Sequence, residues 1–265
     1  MKQALILSTT GSPKRAEIKE IRIFLKNFLG DKRLIKIPKV VLFFILFLRP
    51  YLIKKKYEKI LIDGKNPLNY FTEEIKNSLQ KELDIKVEIG NLYSEPFLKD
   101  KIMELKKSNF RKIYLFPLYP QESPATTEIL KYYFNSFIGG EAEGLIFPSY
   151  FDHPLYLKAI ANKIKEKKEE FDFLIFSYHS LPQKMDGSLK YKEDCQKTTD
   201  LILKEINFEK EKAITSFQSK FGFSKWLVPS TKNILEDLSK KNLEKVGILS
   251  PSFAIDCLET LYDIK

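Results

Sequence analysis

Cysteine is almost missing from this chain: Cys195 and Cys257 are the only two in 265 residues. Two thiols cannot build a disulfide scaffold or a four-thiolate iron–sulfur cluster, and a reducing cytoplasm is their natural compartment. Histidine is as scarce, with His153 and His179 alone, so a closed structural zinc site is not expected. Long apolar runs are absent too. The greasiest stretch, Val40 to Leu48, is bounded by Pro38 and Arg49-Pro50 and is too short to cross a bilayer as a helix. Met1 to Ser8 is too short an apolar run for a signal peptide and reads as a first strand. There is no P-loop and no GxSxG nucleophile elbow, and Gly11-Ser12-Pro13 falls short of the GxGxxG dinucleotide pattern.

What is present is a lysine-rich, ordinary globular composition with a net charge of +10. That charge attracts anionic ligands, acidic membrane surfaces or nucleic acid. No DNA- or RNA-binding motif accompanies it, and stretches such as Lys163-Ile164-Lys165-Glu166-Lys167-Lys168 read as solvated helix faces, so nucleic acid is not an expected partner. The apolar run at Val40 to Leu48 reads either as a buried helix or as an apolar lip whose basic flank (Arg49, Lys54, Lys55, Lys56) touches a membrane surface. Spacing alone favours the core helix. A cytoplasmic protein with peripheral membrane association is the corresponding expectation.

Short apolar runs alternate with amphipathic stretches throughout. The spacing predicts strands at Ala4 to Ser8, Lys86 to Gly90, Lys112 to Pro117, Gly144 to Phe147, Phe173 to Ser177, Ala213 to Gln218 and Lys245 to Leu249. It predicts helices at Ile18 to Leu29, Phe71 to Leu83, Pro96 to Lys107, Thr126 to Phe137, Pro154 to Glu170, Tyr191 to Ile206 and Thr231 to Ser239. Such alternation implies an α/β fold with parallel sheets covered on both faces, in two doubly wound halves. The flexible run Gly139-Gly140-Glu141-Ala142-Glu143-Gly144 is the expected seam, dividing residues 1–138 from 139–265.

The most informative stretch is Phe176-Ser177-Tyr178-His179-Ser180-Leu181-Pro182, a buried strand ending in a turn that presents a histidine. The C-terminal edge of such a strand is where open α/β sheets keep their ligands. Near the chain end, Asp256, Glu259 and Asp263 are spaced to share one face of a helix, where clustered carboxylates can relay protons or hand over a divalent cation. A solvated acidic stripe is the plainer reading of that spacing. His153, ahead of Pro154, reads as a helix cap.

Four blocks in order resemble the ferrochelatase family: Leu118-Tyr119-Pro120-Gln121-Glu122-Ser123-Pro124-Ala125-Thr126-Thr127, the histidine block, Phe217 to Leu227, and Pro251 to Leu261. Gly11-x-Pro13, Phe28-Leu29-Gly30-Asp31, Asp152 to Tyr156 and Tyr191 to Cys195 add weaker matches. The resemblance covers nearly the whole chain. It implies a chelatase-type fold of two Rossmann-like halves, each with a four-stranded parallel sheet, around a porphyrin cleft. It implies insertion of Fe²⁺, as substrate, into protoporphyrin without any required cofactor. The family's histidine falls on His179 and its glutamate on Glu259, as catalytic and iron-binding groups. Asp256 and Asp263 would be relay carboxylates, and Tyr119, Ser123, Thr126, Thr127, Ser219 and Lys220 the porphyrin rim. Phe43, Phe44 and Phe47 match the family's apolar lip.

The chain departs from the pattern at Ser8-Thr9-Thr10, where an asparagine-containing run is usual, and at Lys220, where arginine is. It stops at Lys265, where family members normally continue, so the resemblance implies a C-terminally truncated form. Metallation of coproporphyrin or of another tetrapyrrole with cobalt or nickel is the alternative activity. A non-catalytic porphyrin or haem carrier is the alternative class, disfavoured by an intact His179 and Glu259.

Overall fold

Two all-parallel sheets flanked by helices emerge from this alternation in the computed structural model, which describes residues 1–140, 142–167, 171–220 and 224–264. The chain divides into two units. Unit 1 holds Met1–Leu118, Ala125–Pro148 and Ile255–Lys265; unit 2 holds Tyr119–Pro124 and Ser149–Ala254.

In unit 1, β1 (Lys2–Ser8), β2 (Lys86–Ile89), β3 (Phe110–Pro117) and β4 (Glu143–Ile146) form one sheet in the order β2-β1-β3-β4. Its central strand β1 is buried continuously from Ala4 to Ser8, as a parallel strand covered on both faces must be. Around it lie α1 (Ile18–Gly30), α2 (Lys39–Ile60), α3 (Pro67–Glu82), α4 (Leu98–Lys107) and α5 (Thr127–Ile138). The helix α3 starts earlier than periodicity suggests because Asn66 caps it, accepting from the Leu68 amide at 3.2 Å, with Pro67 in the first turn.

In unit 2, β5 (Phe173–His179), β6 (Ala213–Gln218) and β7 (Val246–Leu249) are ordered β6-β5-β7, with α6 (Pro154–Lys165), α7 (Ser188–Ile206) and α8 (Thr231–Leu238) around them. Among the described residues this second sheet has three strands, against the four expected. The predicted end of α6 at Glu170 lies outside the described residues; the helix closes at Lys165.

Helix α2 overturns the expectation of a core helix. Its inward positions Leu42, Ile45, Leu46 and Ile53 pack with Tyr57 and Ile60 against Ile21, Leu25 and Leu29 of α1. Its outward positions are apolar as well: Val40, Val41, Phe43, Phe44, Phe47, Leu48, Tyr51 and Leu52 are all exposed. A helix greasy on both faces gives no periodic signal, so the run reads as core when half of it is surface. Pro50 lies inside α2 and has no N–H for the Leu46 carbonyl one turn earlier. Arg22 of α1 supplies the missing donor, its Nε lying 3.0 Å from that carbonyl. The helix therefore runs on through the proline to Ile60.

Candidate functional site

His179 is the last residue of β5 and is half-buried. Its Nδ1 lies 2.7 Å from the Ser180 carbonyl oxygen. A carbonyl only accepts, so Nδ1 carries the proton, and in the neutral ring the lone pair sits on Nε2. The Phe253 ring, 6.1 Å away between centroids and tilted by 51°, walls the imidazole on one side. The backbone is held equally firmly. The His179 amide donates to Ser252 Oγ at 3.2 Å, and its carbonyl accepts from the Tyr191 hydroxyl at 3.0 Å. Burial raises the Tyr191 phenol well above its ordinary range, so it stays a donor.

The turn after His179 is stitched to the segment after β6. Ser180 N donates to Gln218 O at 2.8 Å, Leu227 N to Leu181 O at 3.0 Å, and Gln183 N to Lys225 O at 2.8 Å. This brings Ser219 and Lys220 to the same sheet edge as His179. Ser219 has a positive φ of 63°, a conformation that costs a non-glycine residue about 1–2 kcal/mol. Ser219 Oγ, Gln218 Nε2 and Trp226 Nε1 are buried without a hydrogen-bond partner among the described residues. Two of these atoms only donate and the hydroxyl can, so the group that would satisfy them is an acceptor. Lys220 beside them is exposed. Sequence reasoning passed over Gln218 and Trp226, although both stand inside a block it singled out.

Tyr119 and Ser123 also belong to unit 2. Their segment is anchored by the Pro120 carbonyl, which accepts from Ser149 Oγ at 2.7 Å and from Tyr150 N at 3.0 Å. Gln121 is buried and donates to Thr198 Oγ1 at 3.0 Å. The Tyr156 hydroxyl donates to the Pro251 carbonyl, next to Ser252. Thr126 and Thr127 fall in unit 1, at the start of α5; Thr126 is the cap residue without a capping side-chain bond, and Thr127 is buried. His153 caps α6 as expected, its Nδ1 accepting from Leu155 N at 3.3 Å.

Only two of the three carboxylates lie in the helix. Asp256 precedes it and accepts from Thr260 Oγ1 at 2.8 Å, while Glu259 and Asp263 stand at the two ends of a π-helical turn. Asp263 pairs with Lys56 of α2 at 3.3 Å. Glu259 is left half-buried near Cys257, whose thiol is raised well above its ordinary range by burial first and the Glu259 charge second. A thiol held neutral in this way is a poor metal ligand. Tyr57 is buried nearby; burial first, then Glu259, Cys257 and Asp263, push its phenol far upward, against the lowering effect of Arg49. Among the described residues no three histidine, cysteine or acidic side chains gather where they could hold a metal ion.

The family model described as Ferrochelatase matches residues 2–265. The ferrochelatase of Vibrio atlanticus is 32% identical over 99% of this chain and 86% of its own length. That of Haemophilus influenzae is 32% identical over the same shares. Among solved structures, SirB from Bacillus subtilis with Fe³⁺ superposes with a TM-score of 0.54 at 13% identity, covering 94% of this chain and 75% of its own. That likeness supports the chelatase-type α/β fold.

Proposed function

The chain belongs to the ferrochelatase family, whose members insert a metal ion into a porphyrin in haem biosynthesis, and on that premise we propose that it inserts Fe²⁺ into protoporphyrin IX. The reaction removes two pyrrole protons and places iron on the ring nitrogens without changing its oxidation state. It therefore needs no nucleotide or redox cofactor, only a proton acceptor, a dehydrated metal and a held ring.

One observation carries the reading: Nδ1 of His179 is committed to the Ser180 carbonyl, so Nε2 is left with its lone pair at the sheet's ligand-binding edge. That atom accepts a pyrrole proton or ligates the incoming iron. Glu259 is the acidic partner in this reading, taking up protons or passing Fe²⁺ from water; Asp256 and Asp263 are bound to Thr260 and Lys56 and act at most as outer relays. The ring's propionates need donors, and this reading draws them from Ser219, Lys220 and the Gln218 Nε2 and Trp226 Nε1 groups that lack a partner among the described residues. Tyr119, Ser123, Thr126 and Thr127 complete the proposed rim.

The protein also works against a membrane surface in this proposal. No helix among the described residues is long and apolar enough to span a bilayer. The exposed apolar face of α2, with exposed Lys36 and Lys39 at its start and Lys55 and Lys59 at its end, suits an interfacial helix lying on anionic lipid. The test of the activity is anaerobic insertion of Fe²⁺ into protoporphyrin and, in parallel, into coproporphyrin, which carries more propionates. Turnover without ATP supports the proposal; turnover of coproporphyrin alone reassigns the substrate.

A further inference from the structure

In a β-strand the amide and carbonyl of one residue point to the same side. Ser180 N pairs toward β6, so the two groups of His179 point the other way, toward β7. The pairing of β5 with β7 ends at Phe176 and Leu249, and among the described residues no strand backbone lies opposite His179 on that side. A buried peptide group left unpaired there would be destabilising.

Side chains replace the strand. His179 N–H donates to Ser252 Oγ, and Tyr191 Oη–H donates to the His179 carbonyl. Each hydroxyl has one proton. The tyrosine proton is spent on the carbonyl, and a serine lone pair takes the amide. The two hydroxyls thus hold the amide and the carbonyl of His179 on the side that lacks a strand. Ser252 is 8% exposed and Tyr191 3%, so water does not compete for these bonds. They grip the backbone from which the imidazole hangs and which leads into the Ser180 carbonyl that binds Nδ1.

We propose that Ser252 and Tyr191 are positioning residues for His179: their hydroxyls hold its backbone amide and carbonyl so that Nδ1–H stays on the Ser180 carbonyl and Nε2 faces the reaction. The inference rests on reading His179 as the proton acceptor or iron ligand. Neither residue touches the reacting atoms. Their loss lets the imidazole reorient or exchange tautomers, which lowers the turnover rate and leaves porphyrin affinity alone.

The test combines kinetics with imidazole ¹⁵N NMR. With only two histidines in the chain, a His153→Asn background leaves His179 as the sole imidazole signal. The parent spectrum is expected to show a protonated Nδ1 and an unprotonated Nε2. Ser252→Ala and Tyr191→Phe should each lower kcat by roughly tenfold, the lower end of what outer-shell partners of functional histidines contribute, with KM for porphyrin unchanged. Both should mix the two tautomers, and Ser252→Thr, which restores a hydroxyl, should recover kcat and the parent spectrum. A parent kcat in both variants, an unaltered imidazole spectrum in them, or a parent spectrum with the proton on Nε2 overturns the proposal. The last measurement needs no variant to fold. His179→Ala separates the two levels: parent-like metallation by it removes the catalytic reading, while the NMR result still decides whether the two hydroxyls set the tautomer.

Discussion

Replacing Phe43, Phe44 and Phe47 together by alanine should abolish membrane binding without unfolding the protein. These rings are 66%, 57% and 58% exposed. A phenylalanine side chain offers on the order of 200 Å², so each ring leaves about 120 Å² in water, equivalent to ~3 kcal/mol at ~25 cal/mol per Å² if fully sunk in lipid. An interfacial helix sinks about half of such a face, so the three rings together contribute ~4–5 kcal/mol, a factor of at least ~10³ in partitioning. The lysines flanking α2 add ~1 kcal/mol each near an anionic surface, and that part is screened by salt. Cosedimentation with vesicles containing anionic lipid should therefore weaken in high salt for the parent yet persist, and vanish for the triple variant. Because these side chains have little native packing to lose, the melting temperature should stay within a few degrees. A parent that ignores anionic vesicles, or a triple variant that binds within threefold of it, would refute the reasoning.

Other outcomes follow from single contacts. Glu88 is buried among Lys76, Lys86 and Lys101; burial alone would raise its carboxyl, but the Lys86 hydrogen bond and the Lys101 and Lys76 charges outweigh that and hold it low. A carboxyl lowered on folding stabilises above its unfolded value, near 4.5, and that stability is lost as pH falls through the folded value. Glu88→Gln should thus lose about 2 kcal/mol at neutral pH and lose its deficit in acid, in urea melts run against pH; an equal deficit at pH 3 would count against the account. Arg22→Met should leave the Leu46 carbonyl beneath Pro50 unmatched and destabilise by about 1–2 kcal/mol, where no change in urea midpoint would show that solvent already serves that carbonyl. Lys220→Ala should raise KM for a dicarboxylate porphyrin, with the parent's advantage shrinking in high salt; equal KM values would remove Lys220 from the rim.

Much of the fold was legible because local signals agreed. β6 occupies the predicted span Ala213–Gln218, and α1 begins at Ile18 as its periodicity requires. The failures have physical causes. The run in α2 is apolar on both faces, which hides the fact that one of them meets solvent. The carboxylates Asp256, Glu259 and Asp263 suit an α-helix by spacing, but Thr260 ties Asp256 outside the helix and the other two sit in a π-helical turn. His179 could be placed at a strand end from sequence, since a buried apolar run stops there. The grip of Ser252 and Tyr191 could not, because it depends on β7 stopping short of β5, a long-range fact that no local pattern encodes. Gln218 and Trp226 stand out only once burial is known, through donors that lack acceptors.

The most direct measurement is the anaerobic rate of Fe²⁺ insertion into protoporphyrin by the parent and by His179→Ala, with porphyrin binding followed separately by fluorescence. The account predicts ATP-independent turnover in the parent, and in the variant a loss of about two orders of magnitude or more with porphyrin affinity largely kept. Metallation by His179→Ala at the parent rate would contradict it, as would a parent that binds porphyrin and never metallates it.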